Sequence, residues 1–271
     1  MEKLELSKFG MGSVQSFDPM LLARMKADSH NKTVGKYTET DCRKCLNRGD
    51  LAVVREDGSI VFRECSCMPA RRAIRKMEKS GLKNVIRDMT FDRFRATEPW
   101  QEHFRATAMA YAENPEGWLL ICGQSGSGKT HLCTAVCRQR LLLGEEVRYM
   151  PWRDDIGALK AQSRDGAEKS KLLSELKTAP LLYIDDLFKC GRSADGTANP
   201  TSADVNIAFE IINYRYINQL PTILSTEKTP EELLDIDEAT ASRIIELAGA
   251  NVLHISRNPE RNHRLRKVRT L

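Results

Sequence analysis

Residues 117–132 read GWLLICGQSGSGKTHL, and within them Gly123, Gln124, Ser125, Gly126, Ser127, Gly128, Lys129 and Thr130 spell G-x-x-x-x-G-K-T directly after an apolar run. This is the pattern of a phosphate-binding loop. Glycines let the backbone bend so that successive N–H groups point at phosphate oxygens, and the following helix presents its positive N-terminus to the same anion. The loop needs a buried strand before it and a helix after it. Trp118 to Cys122 and THLCTAVCRQRLLLG meet those needs. In such a loop Lys129 reaches the β- and γ-phosphates of a nucleotide and the Thr130 hydroxyl binds Mg²⁺. The competing reading, a glycine-rich turn without a ligand, does not account for that context.

The rest of the chain alternates in the same way. TEPWQEHFRATAMAYAENPEG reads as a helix broken at Asn114-Pro115, EEVRYM as a strand, and 154–178 as a long polar helical region. APLLYIDDL then supplies an apolar strand, DVNIAFEIINYRYINQ a helix and PTILST a further strand. Strands alternating with helices predict an α/β fold with a parallel sheet flanked by helices. Ligands of such sheets lie at the carboxyl ends of the strands. The loop, Asp185 and the polar end of PTILSTE should therefore gather at one edge.

Asp185 and Asp186 close their strand about 55 residues after the loop. An acid at that place holds Mg²⁺, and its neighbour orients and deprotonates the attacking water. ATP and Mg²⁺ are the ligands this pairing predicts, against the alternative of a solvent-exposed acidic corner.

Eight cysteines fall into two groups. Cys122, Cys133, Cys137 and Cys190 are dispersed through the loop region and read as structural. Cys42 and Cys45 form a C-x-x-C pair, and after 19 intervening residues Cys65 and Cys67 form C-x-C. Between them LAVVREDGSIVFRE reads as a hairpin turning at Asp57-Gly58. Two thiol pairs at the ends of a hairpin suit a structural Zn²⁺ site, in a module too small to fold on apolar burial alone. A redox pair or unligated thiols are the alternatives. Ahead of it, FDPMLLARMKADS fits either a short amphipathic helix, with Met20, Leu21, Leu22 and Met25 on one side, or a partly disordered tail.

The net charge of +5 permits nucleic-acid binding without demanding it, and its placement is more informative. Arg71, Arg72, Arg75, Lys76, Lys79, Lys83 and Arg87 form a basic connector after the cysteines. A second basic run, ISRNPERNHRLRKVRTL, ends the sequence. Either contacts phosphate backbones or is a solvated face. No apolar run approaches the roughly 18 residues of a membrane span, and MEKLELSKFG lacks the apolar core of a signal peptide, so a cytoplasmic protein without a membrane partner is expected.

Together, MTFDRF (89–94), CGQSGSGKTHL (122–132), VRYMPWRDDIGALK (147–160), LLYIDDL (181–187), NYRYINQLPTILSTE (213–227) and SRIIE (242–246) resemble the AAA+ ATPases of the DnaC/DnaI helicase-loader group and their phage and IstB-like relatives. The resemblance covers residues 89–271 and implies an ATPase that splits ATP to ADP and phosphate. It implies a zinc-binding, helicase-interacting module at 1–80, a linker at 81–88 and an AAA+ domain at 89–271. It places the first γ-phosphate sensor at Ser225 or Thr226, where Glu227 stands in a position that is often Asn. It makes Arg243 an arginine finger reaching a neighbouring subunit, against a surface arginine paired with Glu246. It makes Arg264 a late sensor, against a member of the basic tail. Only 28 residues follow Arg243, so no C-terminal lid domain is expected.

The implied function is loading of a replicative DNA helicase onto single-stranded DNA by a homo-oligomer that ATP switches. An IstB-like transposase helper, a P-loop small-molecule kinase and a zinc adaptor that binds ATP without splitting it are the rivals.

Overall fold

Strand Trp118–Gly123 is buried at every residue, which is what a parallel strand covered on both faces demands of its sequence. The structure, a computed structural model, describes residues 18–77, 85–160, 166–190 and 199–266. The chain divides after Met68 into two compact units.

In the first unit, helix α1 (Pro19–Lys32) packs on a two-stranded antiparallel hairpin, β1 (Asp50–Val54) and β2 (Ile60–Glu64). Asp18 caps α1 by accepting from Met20 N, with Pro19 at the first helical position. The helix turns the small Ala23 and Ala27 inward and leaves Leu21, Leu22 and Met25 exposed. The helix forms as one of the two readings has it, but its larger apolar side chains are not the ones it buries. Asn31 fixes the approach: its side chain donates to Ala52 O and accepts from Ala52 N. Gly58, at φ 80°, makes the expected hairpin turn.

Helix α2 (Met68–Met77) begins at the division, and α3 (Val85–Asp88) and α4 (Pro99–Glu113) follow in the second unit. Of the expected linker, 81–84 lies outside the described residues, while Ile86 of α3 and Ile74 of α2 join the core of this unit. The basic connector is therefore not a uniform solvated face: Arg71 is fully buried and Arg72 exposed. Then come β3 (Trp118–Gly123), α5 (Lys129–Leu142), β4 (Val147–Pro151), α6 (Trp152–Lys160), α7 (Gly166–Thr178), β5 (Leu181–Asp185), α8 (Ser202–Ile217), β6 (Thr222–Thr226), α9 (Pro230–Ile236), α10 (Glu238–Ala248), β7 (Val252–Ile255) and α11 (His263–Arg266).

Among the described residues the sheet has the order β4-β5-β6-β3-β7, all pairs parallel. Alternation along β3 divides the core: Leu119 and Ile121 face α4 and α5, while Trp118, Leu120 and Cys122 face the layer of α6, α7, α8 and α10. The fold expected from the sequence, a P-loop core with a parallel sheet flanked by helices, is the one found.

Arg215 of α8 is fully buried and plugs the lower edge of the sheet. Its Nη1 donates to the carbonyls of Leu176, Lys177 and Ala179, Nη2 to Pro221 O, and Nε to Thr222 Oγ1. These bonds compensate the desolvation that lowers its pKa to about 10 and leave it charged at neutral pH.

Candidate functional site

The phosphate loop runs from the end of β3 to the start of α5, and its glycines are required sterically. At Gly126 (φ 76°) a Cβ would stand 2.1 Å from Asn262 Oδ1, and at Gly128 (φ 97°) 2.9 Å from the Phe94 ring. Gly128 is also the residue that opens α5, so no side chain caps the first N–H groups of that helix. Ser127 braces the bend by donating to Gln124 O at 2.9 Å. Lys129 is buried, and its Nζ donates to Gly123 O at 2.7 Å and Gln124 O at 3.0 Å. Desolvation lowers its pKa, against the pull of Asp186 and Glu227.

β6 separates β3 from β5, so loop and acids reach each other across one strand. Thr130 Oγ1 donates to Asp185 Oδ1 at 3.2 Å. Asp185 also accepts from Ser225 Oγ (2.5 Å), Tyr183 OH (2.6 Å) and Tyr149 OH (3.1 Å). Burial raises the pKa of both tyrosines, helped by Asp185 at Tyr149 and by Cys133 and then Asp185 at Tyr183, so they stay protonated donors. A hydroxyl and a carboxylate brought together at the mouth of an anion-binding loop are the oxygen ligands that Mg²⁺ takes alongside a nucleotide's phosphates.

Asp186 has φ 58°, the left-handed region, and its N–H donates to Ser225 Oγ at 3.0 Å. Its carboxylate accepts from Lys189 Nζ at 2.8 Å, and Lys189 also reaches Glu227 Oε1 at 3.0 Å. Ser125, Gly126, Lys129, Thr130, Asp186 and Arg264 line one cleft of about 150 Å³.

Other expected residues fall as follows. Arg264 Nη1 donates to Ser125 Oγ at 3.2 Å, so the late arginine does come to the loop. Thr226 does not: its buried hydroxyl donates to Leu187 O at 2.8 Å and accepts from Lys228 N at 3.1 Å. Successive strand residues point to opposite faces, and Ser225 takes the face that meets the acids. Arg243 sits on α10, its guanidinium 5.4 Å from the ring centroids of both Phe209 and Tyr216, with Nη1 donating to Ala239 O. Glu246 accepts instead from Tyr216 OH.

Two of the segments that carry the family resemblance meet beside the cleft. Phe94 lies edge-on to His131 at 5.3 Å, and His131 Nε2 bonds Thr90 O at 2.8 Å, which ties MTFDRF to α5. Phe94, Thr97, Gly126, His131 and His263 line a groove that continues from the cleft.

In the first unit, the four thiols converge. Cys42 Sγ lies 3.8 Å from Cys65 Sγ and Cys45 Sγ 3.7 Å from Cys67 Sγ, and all four lie within 4.8 Å of one another. Tetrahedral Zn–S bonds of about 2.3 Å put sulfurs roughly 3.8 Å apart, so the cluster fits a zinc ion. Burial works to raise the Cys45 pKa, but the Gly49 N–H and the neighbouring thiols bring it down to about 7. Among the described residues no helix is long and apolar enough to cross a membrane.

Comparison with known proteins adds the lineage. Residues 51–259 match the family described as IstB-like ATP binding protein. The phage-like element PBSX protein XkdC of Bacillus subtilis (strain 168) is 32% identical over 240 residues, 84% of this chain and 88% of that protein. The replicative helicase loader DnaC of Escherichia coli (strain K12) is 27% identical over 190 residues, 68% of this chain and 74% of that one. A crystal structure of the DnaC helicase loader superimposes with a TM-score of 0.54 at 24% identity, covering 63% of this chain and 98% of that one, a likeness of fold.

Proposed function

The chain belongs to the IstB-like ATP-binding family, and from that premise we propose that it is an ATPase which loads a replicative DNA helicase onto single-stranded DNA. The observation that carries the ATPase reading is the contact of Thr130 with Asp185, with Lys129 and Asp186 lining the same cleft. The loader reading draws on the similarity to DnaC.

In this reading the loop N–H groups and Lys129 hold the β- and γ-phosphates. Thr130 and Asp185 hold Mg²⁺, which when bound neutralises charge on the phosphate oxygens. Ser225 keeps Asp185 and Asp186 in register by touching both. Asp186 orients the attacking water and takes its proton. Arg264 approaches from the loop side, and Arg243 completes the cleft of a neighbouring copy in a homo-oligomer. The groove beside Phe94 and His131 takes the nucleobase. Zinc on Cys42, Cys45, Cys65 and Cys67 holds the first unit in shape, and that unit, within residues 1–80, docks on the helicase. The site of action is the cytoplasm.

The family match itself favours a second reading, a helper ATPase of a transposase. One experiment separates them: helicase loading onto circular single-stranded DNA with ATP, alongside ATP hydrolysis with DNA, helicase or transposase added. Loading and helicase-dependent turnover support the loader; stimulation by transposase alone would transfer the assignment to the second reading.

A further inference from the structure

Glu227 is an acid at the mouth of a site proposed to bind phosphate, and by itself it would repel the ligand. The structure supplies its counterpart. After β5 the chain curls back over the end of β6: Leu187 N donates to Ser225 O at 2.8 Å and Lys189 N to Asp186 O at 2.9 Å. The curl puts both Asp186 (φ 58°) and Phe188 (φ 59°) in the left-handed region, a strained arrangement for residues with side chains. Phe188 is buried with its ring 5.4 Å from Trp152, which anchors the turn.

One product of this turn is the position of Lys189. Its ammonium lies 2.8 Å from Asp186 Oδ2 and 3.0 Å from Glu227 Oε1, and all three residues line the cleft that holds Lys129 and Thr130. Burial pulls the Lys189 pKa down, but the two carboxylates outweigh it and raise it, so the group is charged. A side chain packed only for stability would not need to face the phosphate loop. Two acids and one ammonium there leave a place where a γ-phosphate meets a cation already fixed in direction.

We infer that Lys189 is a second phosphate-binding lysine, positioned by Glu227 beside Asp186, and that it makes the cleft prefer a nucleoside triphosphate to a diphosphate. The inference rests on the ATP-site reading of the cleft. Lys129 grips both nucleotides, because it reaches the β-phosphate as well. Lys189, next to the proposed base, reaches the γ-phosphate. Glu227 acts through Lys189, which it contacts, so it is a positioning residue; without it Lys189 would rest on Asp186 alone and hold back the carboxylate that must act as base.

Calorimetric titration of the full-length chain with a non-hydrolysable ATP analogue and with ADP, both with Mg²⁺, tests this. Lys189→Met should weaken the triphosphate about tenfold and change ADP less than twofold. Lys189→Arg should restore most of the difference. Glu227→Gln, which leaves Lys189 paired with Asp186 alone, should lower kcat more than it raises KM. Equal loss of both ligands in Lys189→Met, or no loss of either, overturns the inference while binding by the parent keeps the ATP site standing. A parent chain that binds neither nucleotide brings down both.

Discussion

Gln124 and Asn258 hold each other through two hydrogen bonds: Gln124 Nε2 donates to Asn258 O at 2.8 Å, and Gln124 Oε1 accepts from Asn258 N at 2.7 Å. His263 N adds a bond to Gly126 O at 3.0 Å. The phosphate loop is thus clasped by a segment more than a hundred residues downstream. Each such bond contributes roughly 0.5–1.5 kcal/mol. Gln124→Ala should therefore weaken ATP several-fold and leave the circular dichroism spectrum unchanged; unaltered affinity in a titration would show that the loop holds its shape without the clasp.

Asp185 and Asp186 are adjacent but differently placed, and their amides should separate them. Asp186→Asn is expected to keep ATP binding and lose on the order of 10²–10⁴-fold in turnover, the usual contribution of a general base. Asp185→Asn faces four hydroxyl donors with a single acceptor oxygen and an NH2 donor, so it should lose Mg²⁺-dependent binding and destabilise the fold by roughly 1–3 kcal/mol. Single-turnover hydrolysis and thermal melts of the two variants check this. Identical behaviour of the pair would refute the division of labour.

Zinc removal is expected to act on the first unit alone. The thiols fit one ion per chain, and structural zinc sites of this type supply apparent binding energies of about 10–16 kcal/mol at neutral pH. Chelation should expose 18–68 to protease while 89–266 remains resistant and still binds ATP. Mass spectrometry of the fragments gives the answer, and simultaneous cleavage of both units would mean that they do not stand independently.

Arg243 stacks between two rings of α8, which gives a guanidinium a fixed direction that an ammonium lacks. Arg243→Ala should abolish the rise of specific ATPase activity with protein concentration, and Arg243→Lys should not rescue it. If instead activity is retained at every concentration and only about 0.5–1 kcal/mol of stability is lost, the arginine is a surface packing residue.

The parts legible in the sequence carry their chemistry locally. A phosphate loop needs a strand before it, a helix after it and glycines inside it, and a Zn²⁺ site needs thiols in pairs; each can be recognised within a few dozen residues. The parts that were not legible depend on distant partners or on a single step of register. Strand β7 has four residues, and its role is to bring Ile255 against Gly123, where a Cβ would meet its Cγ2 at 2.0 Å. The choice between Ser225 and Thr226 turns on which face of β6 meets Asp185. Which side of α1 is buried depends on the hairpin it packs on, and Lys189 enters the cleft after a turn in which two non-glycine residues take positive φ.

Strand β6 is fastened at both ends, by Arg215 where it begins and by the two aspartates where it finishes. It is a short stiff strut with no slack in it, and α8, which carries Arg215, also carries the Phe209 ring that supports Arg243. Contacts thus run from Asp185 and Asp186 through Ser225 and Thr222 to Arg215, and α8 carries them on to the guanidinium of Arg243, so the floor of the cleft and helix α10 share one set of supports.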